Sequence, residues 1–166
     1  MTQAACDPFV IERVFDAPRE TVWKAWTTPE ALSQWFGPKG ANGAVTEFDL
    51  RPGGLWRGWM IHPNGTKMYS KSTFREVTPP ERLVWEQSST DADGNVIPAP
   101  ILDNWPLIML TTVTFEDMGN RTKLTLTWLP LDAKDIEVAT FEGMKPSMTG
   151  GWSGSFDVLD DYLAKG

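Results

Sequence analysis

Thiols, imidazoles and positive charge are all scarce in this chain of 166 residues, and each scarcity removes a class of function. The single cysteine, Cys6, lies near an N-terminus expected to fray. It excludes an intrachain disulfide and leaves too few thiolates for a zinc or iron–sulfur centre. A reducing cytoplasm is the simplest compartment for such a chain. The single histidine, His62, excludes a histidine-rich metal site, and the carboxylates show no EF-hand spacing. With 15 basic residues against 22 acidic ones the formal charge is −7, the wrong sign for neutralising phosphates. We therefore expect neither a nucleic-acid nor an anionic-membrane partner. No apolar run approaches the roughly 18 residues that span a bilayer, and Met1 to Pro8 lacks the basic and apolar regions of a signal peptide. Nothing in the pattern asks for a metal or a cofactor.

Aromatic residues, by contrast, are plentiful. Nine tryptophans and eight phenylalanines suit either a large core or an aromatic-walled pocket, and the count alone does not separate the two. The length fits one domain, residues 1–166, built around one core.

Periodicity supplies the layout. Phe9–Phe15 reads as a strand; Pro18 suits the first turn of a helix reaching Trp26, and Thr28 caps a second helix that runs to Trp35 and is stopped by Gly37 and Pro38. From Ala44 the period changes to two. Val45–Leu50, Leu55–His62, Met68–Val77, Arg82–Ser88, Leu107–Glu116 and Arg121–Leu129 read as strands. Turn chemistry separates them at Pro52-Gly-Gly54, Pro63-Asn-Gly65, Thr78-Pro-Pro80 and Asp117–Asn120. Between Ser89 and Pro106 no period is sustained, and we expect a long loop that acts as a lid. Beyond Asp132 and Asp135, Ile136, Thr140, Met144, Met148, Trp152, Phe156, Leu159 and Leu163 recur every three or four residues, the mark of one long helix. Pro146 and Gly150-Gly151 should kink or loosen it near Lys145.

An α+β fold follows: a curved, seven-stranded antiparallel sheet wrapped around the last helix, with two short helices after strand one. Strand alternation turns Leu83 and Trp85 inward, then Leu107, Met109, Val113 and Phe115, and finally Leu124, Leu126 and Trp128.

Several segments resemble a known family. They are Phe15-Asp-Ala-Pro-Arg-Glu-Thr-Val-Trp23-Lys-Ala-Trp, Thr28-Pro-Glu-Ala-Leu-Ser-Gln-Trp35-Phe-Gly-Pro38, Asp49-Leu-Arg-Pro-Gly-Gly54, Pro79-Pro-Glu-Arg-Leu-Val84 and Gly151-Trp-Ser-Gly-Ser-Phe-Asp-Val-Leu159-Asp-Asp-Tyr-Leu163. In that order they resemble the domain named for the activator of the heat-shock-protein-90 ATPase. The resemblance implies a helix-grip fold, shared with START lipid-transfer domains, plant hormone-binding allergen-like proteins and polyketide cyclases. Such folds typically hold hydrophobic ligands between sheet and helix, and the resemblance implies no single reaction.

The candidate site combines that implication with the residue pattern. Trp56, Gly58 and Met60 share one strand face, which the resemblance turns toward the grip; Trp85, Met109 and Trp128 face the same interior, and Met144, Met148 and Trp152 come from the helix. Each also suits plain core filling. Gly58 is permissible in mid-strand where space or a close approach is needed, and methionines adapt to irregular surfaces. His62, one residue before a turn, is expected at a solvated strand end, and Glu86 and Arg57 on the outer face. Asp91-Ala-Asp93-Gly-Asn95 reads as a turn, not a calcium loop. The expected function is non-catalytic binding of a small hydrophobic molecule. An enzyme of the same fold, a cyclase, dehydratase or hydrolase, would need an inward ionisable group, for which Tyr69, His62 and Glu86 are candidates. A chaperone cofactor acting through surface contacts is a third reading. Ligand identity and oligomeric state stay open at this level.

Overall fold

The computed structural model of the chain describes residues 6–36, 42–100 and 102–165. The period-two segments become β1 (Phe9–Phe15), β2 (Asn42–Phe48), β3 (Leu55–Ile61), β4 (Lys67–Thr78), β5 (Arg82–Thr90), β6 (Ile108–Asp117) and β7 (Thr122–Leu131). The helices are α1 (Arg19–Thr27), α2 (Pro29–Trp35) and α3 (Asp135–Ala164). Thr28 occupies the N-cap position of α2 without a side-chain bond, while its carbonyl accepts the Leu32 N–H. The stop expected at Gly37 and Pro38 lies outside the described residues.

The strands form one antiparallel sheet in the order β1-β7-β6-β5-β4-β3-β2, so hairpin meanders run from β2 to β7 and β1 closes against β7. Leu83, Trp85, Val113, Phe115, Leu124 and Leu126 are all buried on its inner face, as alternation requires. Leu107 is a correction. It precedes β6, is 44% exposed and belongs to the loop. Register shifts in β2 at Val45/Glu47 and in β4 at Phe74/Glu76 are bulges, which bend and twist a sheet locally.

The inner face is covered by more than the last helix. Val22, Trp23, Ala25 and Trp26 of α1, with Ala31, Leu32 and Trp35 of α2, are buried too. Trp26 sits at the junction, its ring 4.6 Å from Trp35, 6.1 Å from Trp85, 6.3 Å from Phe115 and 6.4 Å from Phe156. The Trp35 indole N–H donates to the Ala25 carbonyl at 2.8 Å, locking α2 onto α1.

α3 runs as one helix through Pro146 and Gly150-Gly151. Pro146, Gly150 and Gly151 are exposed, so the carbonyl that loses its bond to the Pro146 position lies where solvent can satisfy it. The buried side of α3 differs from the expected one: Val138, Phe141, Met148, Phe156 and Leu159 are buried, while Ile136 is 55% exposed. Steps of four residues rotate about 40° each around a helix of 3.6 residues per turn, so three of them carry Ile136 well away from the Met148 face. Arg13 ties β1 to this helix, donating to Asp157 at 2.8 Å and Asp160 at 3.1 Å with its guanidinium over the Phe156 ring. Cys6 is likewise held: its thiol donates to Glu142 at 3.2 Å, beside Lys145, whose ammonium donates to the Asp7 carbonyl at 2.9 Å. The terminus expected to fray, before Cys6, lies outside the described residues.

Candidate functional site

Between the sheet and α3, aromatic side chains fill the space only partly. Toward α1 the inner face packs solid: Trp85 is 1% exposed, wedged between Trp56 at 5.2 Å, Trp26 at 6.1 Å and Phe74 at 6.4 Å. Toward the other end lies a cavity of about 360 Å³. β3 contributes Trp56, Gly58 and Met60; β4 and β5 contribute Met68, Ser70, Gln87 and Ser89; β6 and β7 contribute Met109 and Trp128; and α3 contributes Met148, Trp152 and Ser155. Phe36 closes one side, 5.1 Å from Trp56 and 6.0 Å from Trp152.

The loop after β5 forms the remaining wall. It begins as a tight turn in which the Asp91 carboxylate accepts from the backbone N–H of Asp93 at 3.0 Å and of Asn95 at 2.9 Å. These bonds, led by Asn95, hold the Asp91 carboxyl below its ordinary value, which is turn chemistry rather than metal ligation. A bridge between Thr90 and Val96 returns the chain to the sheet. Ile97, Ala99, Leu102, Trp105 and Pro106 then line the cavity. Trp105 packs 5.8 Å from Trp128 and 6.0 Å from Phe141, so the loop is fastened to both β7 and α3.

Of the nine residues expected at the site, Trp56, Gly58, Met60, Met109, Trp128, Met148 and Trp152 lie on the cavity wall. Trp85 and Met144 do not. Trp85 belongs to the solid inner packing just described, and Met144 lies a turn closer to the start of α3, near Phe141, where Trp105 fills the gap between helix and sheet. The reason for Gly58 is also settled. An added Cβ would lie 2.6 Å from the Ala44 carbonyl oxygen, so glycine permits the close approach of β2 rather than leaving volume.

Among the ionisable candidates, Glu86 pairs with Arg75 at 2.8 Å and does not line the cavity; nor does Arg57, which lies against Gly94. His62 corrects the expectation of a solvated strand end: it is half-buried and lines the cavity, and burial pushes its pKa below the ordinary imidazole value. Tyr69 lines it as well. Among the described residues no aspartate, glutamate, lysine or arginine belongs to the wall, no cluster of metal-ligating side chains is present, and no helix is long and apolar enough to cross a membrane.

Sequence reading missed Ser70, Gln87, Ser89, Phe36 and Trp105. Gln87 and Ser89 share the parity of Leu83 and Trp85 on β5, so alternation carried two residues further would have found them. Trp105 sits in a stretch without period and left no signal.

Comparison with solved structures supports the architecture. Protein Ms6760 from Mycobacterium smegmatis is 23% identical with a TM-score of 0.77, over 93% of this chain and 88% of that one. A protein of Arthrobacter aurescens, solved by solution NMR, is 25% identical with a TM-score of 0.79, over 96% of this chain and 87% of that one. Protein CV1439 from Chromobacterium violaceum is 24% identical with a TM-score of 0.72, over 94% and 96%. No curated protein sequence matches the chain. The family described as "Activator of Hsp90 ATPase homolog 1-like protein" matches residues 16–164, nearly the full length. The chain therefore belongs to that family.

Proposed function

We propose that this chain is a binding protein for a small, largely apolar molecule, held in the cavity between the inner sheet face, α3 and the loop after β5. One observation carries the reading: a cavity of about 360 Å³ whose wall presents the rings of Trp56, Trp105, Trp128 and Trp152 beside Met60, Met109 and Met148. Ligand pockets are commonly of this size and this apolar, with a few polar groups to orient the guest. A packed core would have closed the space, because interiors approach the density of organic crystals. The loop acts as the lid, fastened through Trp105. Binding takes place in one domain, in the cytoplasm, and needs neither metal nor cofactor.

The test is equilibrium binding of the uncharged fluorophore N-phenyl-1-naphthylamine, excited through the tryptophans. Saturable transfer with a Kd of about micromolar order is expected for a guest of this size. Met60→Trp, which adds volume on the wall, should weaken it at least tenfold while leaving the melting temperature within a few degrees. No saturable binding, or undiminished binding in folded Met60→Trp, contradicts the proposal.

A second reading, an acid–base enzyme of the same fold, rests on His62 and Tyr69, which both line the cavity; the half-buried imidazole of His62, its pKa lowered by burial, can accept a proton there. Turnover of any bound ester or β-hydroxy carbonyl compound that is lost in His62→Gln would favour it. Binding without turnover supports the first reading.

A further inference from the structure

The inner face of the sheet is not apolar throughout. Trp56, Phe74 and Trp85 mark its dry end, and the same parity then gives Ser72, buried opposite Gln87 and off the cavity wall, and beyond it Ser70 on β4 and Gln87 and Ser89 on β5. Ser70 stands directly opposite Ser89 in the ladder, and Gln87 lies two residues back on the same side, opposite Met109. Directly opposed side chains in an antiparallel pair have Cβ atoms about 5 Å apart. The three therefore form one polar strip. All three are half-buried and line the cavity, and none makes a side-chain hydrogen bond to the protein among the described residues. The unpartnered indole N–H groups of Trp26, Trp85 and Trp128 are different: they are buried, whereas the strip opens onto the cavity.

We propose that this strip is the recognition subsite of the cavity, and that it selects guests carrying a neutral group that both donates and accepts, a primary carboxamide or lactam edge, on an aromatic body. The proposal rests on the binding reading above and refines it. A glutamine amide offers two donors and an acceptor in one plane, the complement of another amide edge, and each serine hydroxyl can turn to donate or accept. A guest amide set against Gln87 replaces the water it gives up with bonds of equal kind. A carboxylate in the same place loses its hydration and meets no cationic side chain among the described wall residues, which is costly in an apolar enclosure. A plain hydrocarbon fills the aromatic end but leaves the amide of Gln87 unbonded beneath it. The chemistry of the strip therefore ranks three guests of one shape: amide first, hydrocarbon second, carboxylate last.

The experiment displaces N-phenyl-1-naphthylamine from the whole chain at pH 7 with 2-naphthamide, 2-methylnaphthalene and 2-naphthoate, which share one ring system. 2-Naphthamide is expected to displace at a concentration at least tenfold below that of 2-naphthoate and severalfold below that of 2-methylnaphthalene. Gln87→Met, which keeps the length and removes the amide, should reduce the ratio between 2-naphthamide and 2-methylnaphthalene to about one. Ser70→Ala combined with Ser89→Ala provides an independent reduction of the same ratio should Gln87→Met not fold. Equal displacement by amide and carboxylate in the wild type, or an unchanged ratio in the folded variants, overturns the subsite while leaving the cavity reading intact. Failure of the fluorophore to bind the wild type removes both.

Discussion

Gly58 of β3 lies so close to Ala44 of β2 that a Cβ built on the glycine would sit 2.6 Å from the Ala44 carbonyl oxygen. Gly43 stands in the same relation to the Trp59 carbonyl on the same strand pair, also at 2.6 Å. The contact falls beside the bulge at Val45/Glu47, and β2 is an edge strand with a neighbour on one side only. Gly58→Ala must therefore push β2 away, at a cost of about 1–3 kcal/mol, the usual range for overpacking. Chemical denaturation measures the loss, and hydrogen exchange should locate it in β2. A loss below about half a kcal/mol would mean the edge strand moves freely.

Two tryptophans on opposite sides of the cavity boundary should respond differently to truncation. Trp26 is 1% exposed and has aromatic rings around it from α2, β5, β6 and α3, so Trp26→Ala should cost about 3–5 kcal/mol. Trp128 is half-buried and borders empty volume, with Trp152 at 5.7 Å and Trp105 at 5.8 Å as ring neighbours. Its loss should cost less, about 1–2 kcal/mol, because less surface leaves water. Denaturant midpoints of the two variants compare them. Equal losses would place Trp128 in the packed core.

The thiol of Cys6 should be sluggish. Burial first, then the hydrogen bond and charge of Glu142, push its pKa up to about 11, so at pH 8 only about one molecule in a thousand carries the reactive thiolate. Alkylation by iodoacetamide should proceed at least tenfold more slowly than with free glutathione. Glu142→Gln removes the carboxylate and should speed it. A rate equal to glutathione would show that the N-terminal segment does not rest on α3.

Stability should decline on mild acidification through His62, the one histidine of the chain. Burial lowers its folded-state pKa below the ordinary 6.5, so between the two values the unfolded chain binds more protons than the folded one. The stabilising contribution is complete above 6.5 and is lost as the pH falls through the folded value. Urea midpoints at pH 8 and pH 5.5 should differ in the wild type, and His62→Gln should narrow the gap. A gap unchanged by the substitution assigns the dependence to carboxylates.

The strands were legible because one face of the sheet is dry: the alternation of Leu83 and Trp85, or of Leu124 and Leu126, leaves one register. Segments without alternation were not. Leu107 was drawn into β6 because apolar residues follow it, yet the chain at that point still belongs to the loop. On α3, the four-residue spacing that picked out Ile136 drifted around the helix and passed over Phe141, which is fully buried. The site was legible to a similar degree. Aromatic and methionine positions on strands could be placed by parity, whereas Trp105 and Phe36 reach the cavity through tertiary contacts that no local pattern encodes. Gly58 lies on the cavity wall for a reason the sequence does not reveal, the proximity of another backbone.

The most direct measurement uses the methionines themselves as reporters. With methyl-labelled methionine, addition of N-phenyl-1-naphthylamine should shift the methyl resonances of Met60, Met68, Met109 and Met148, which border the cavity from β3, β4, β6 and α3. Met118, 49% exposed after β6 and not on the cavity wall, should not move. Shifts of those four without Met118, saturating together, are the expected result. A saturable shift of Met118 with the four cavity methyls unmoved would place the guest elsewhere and contradict the account.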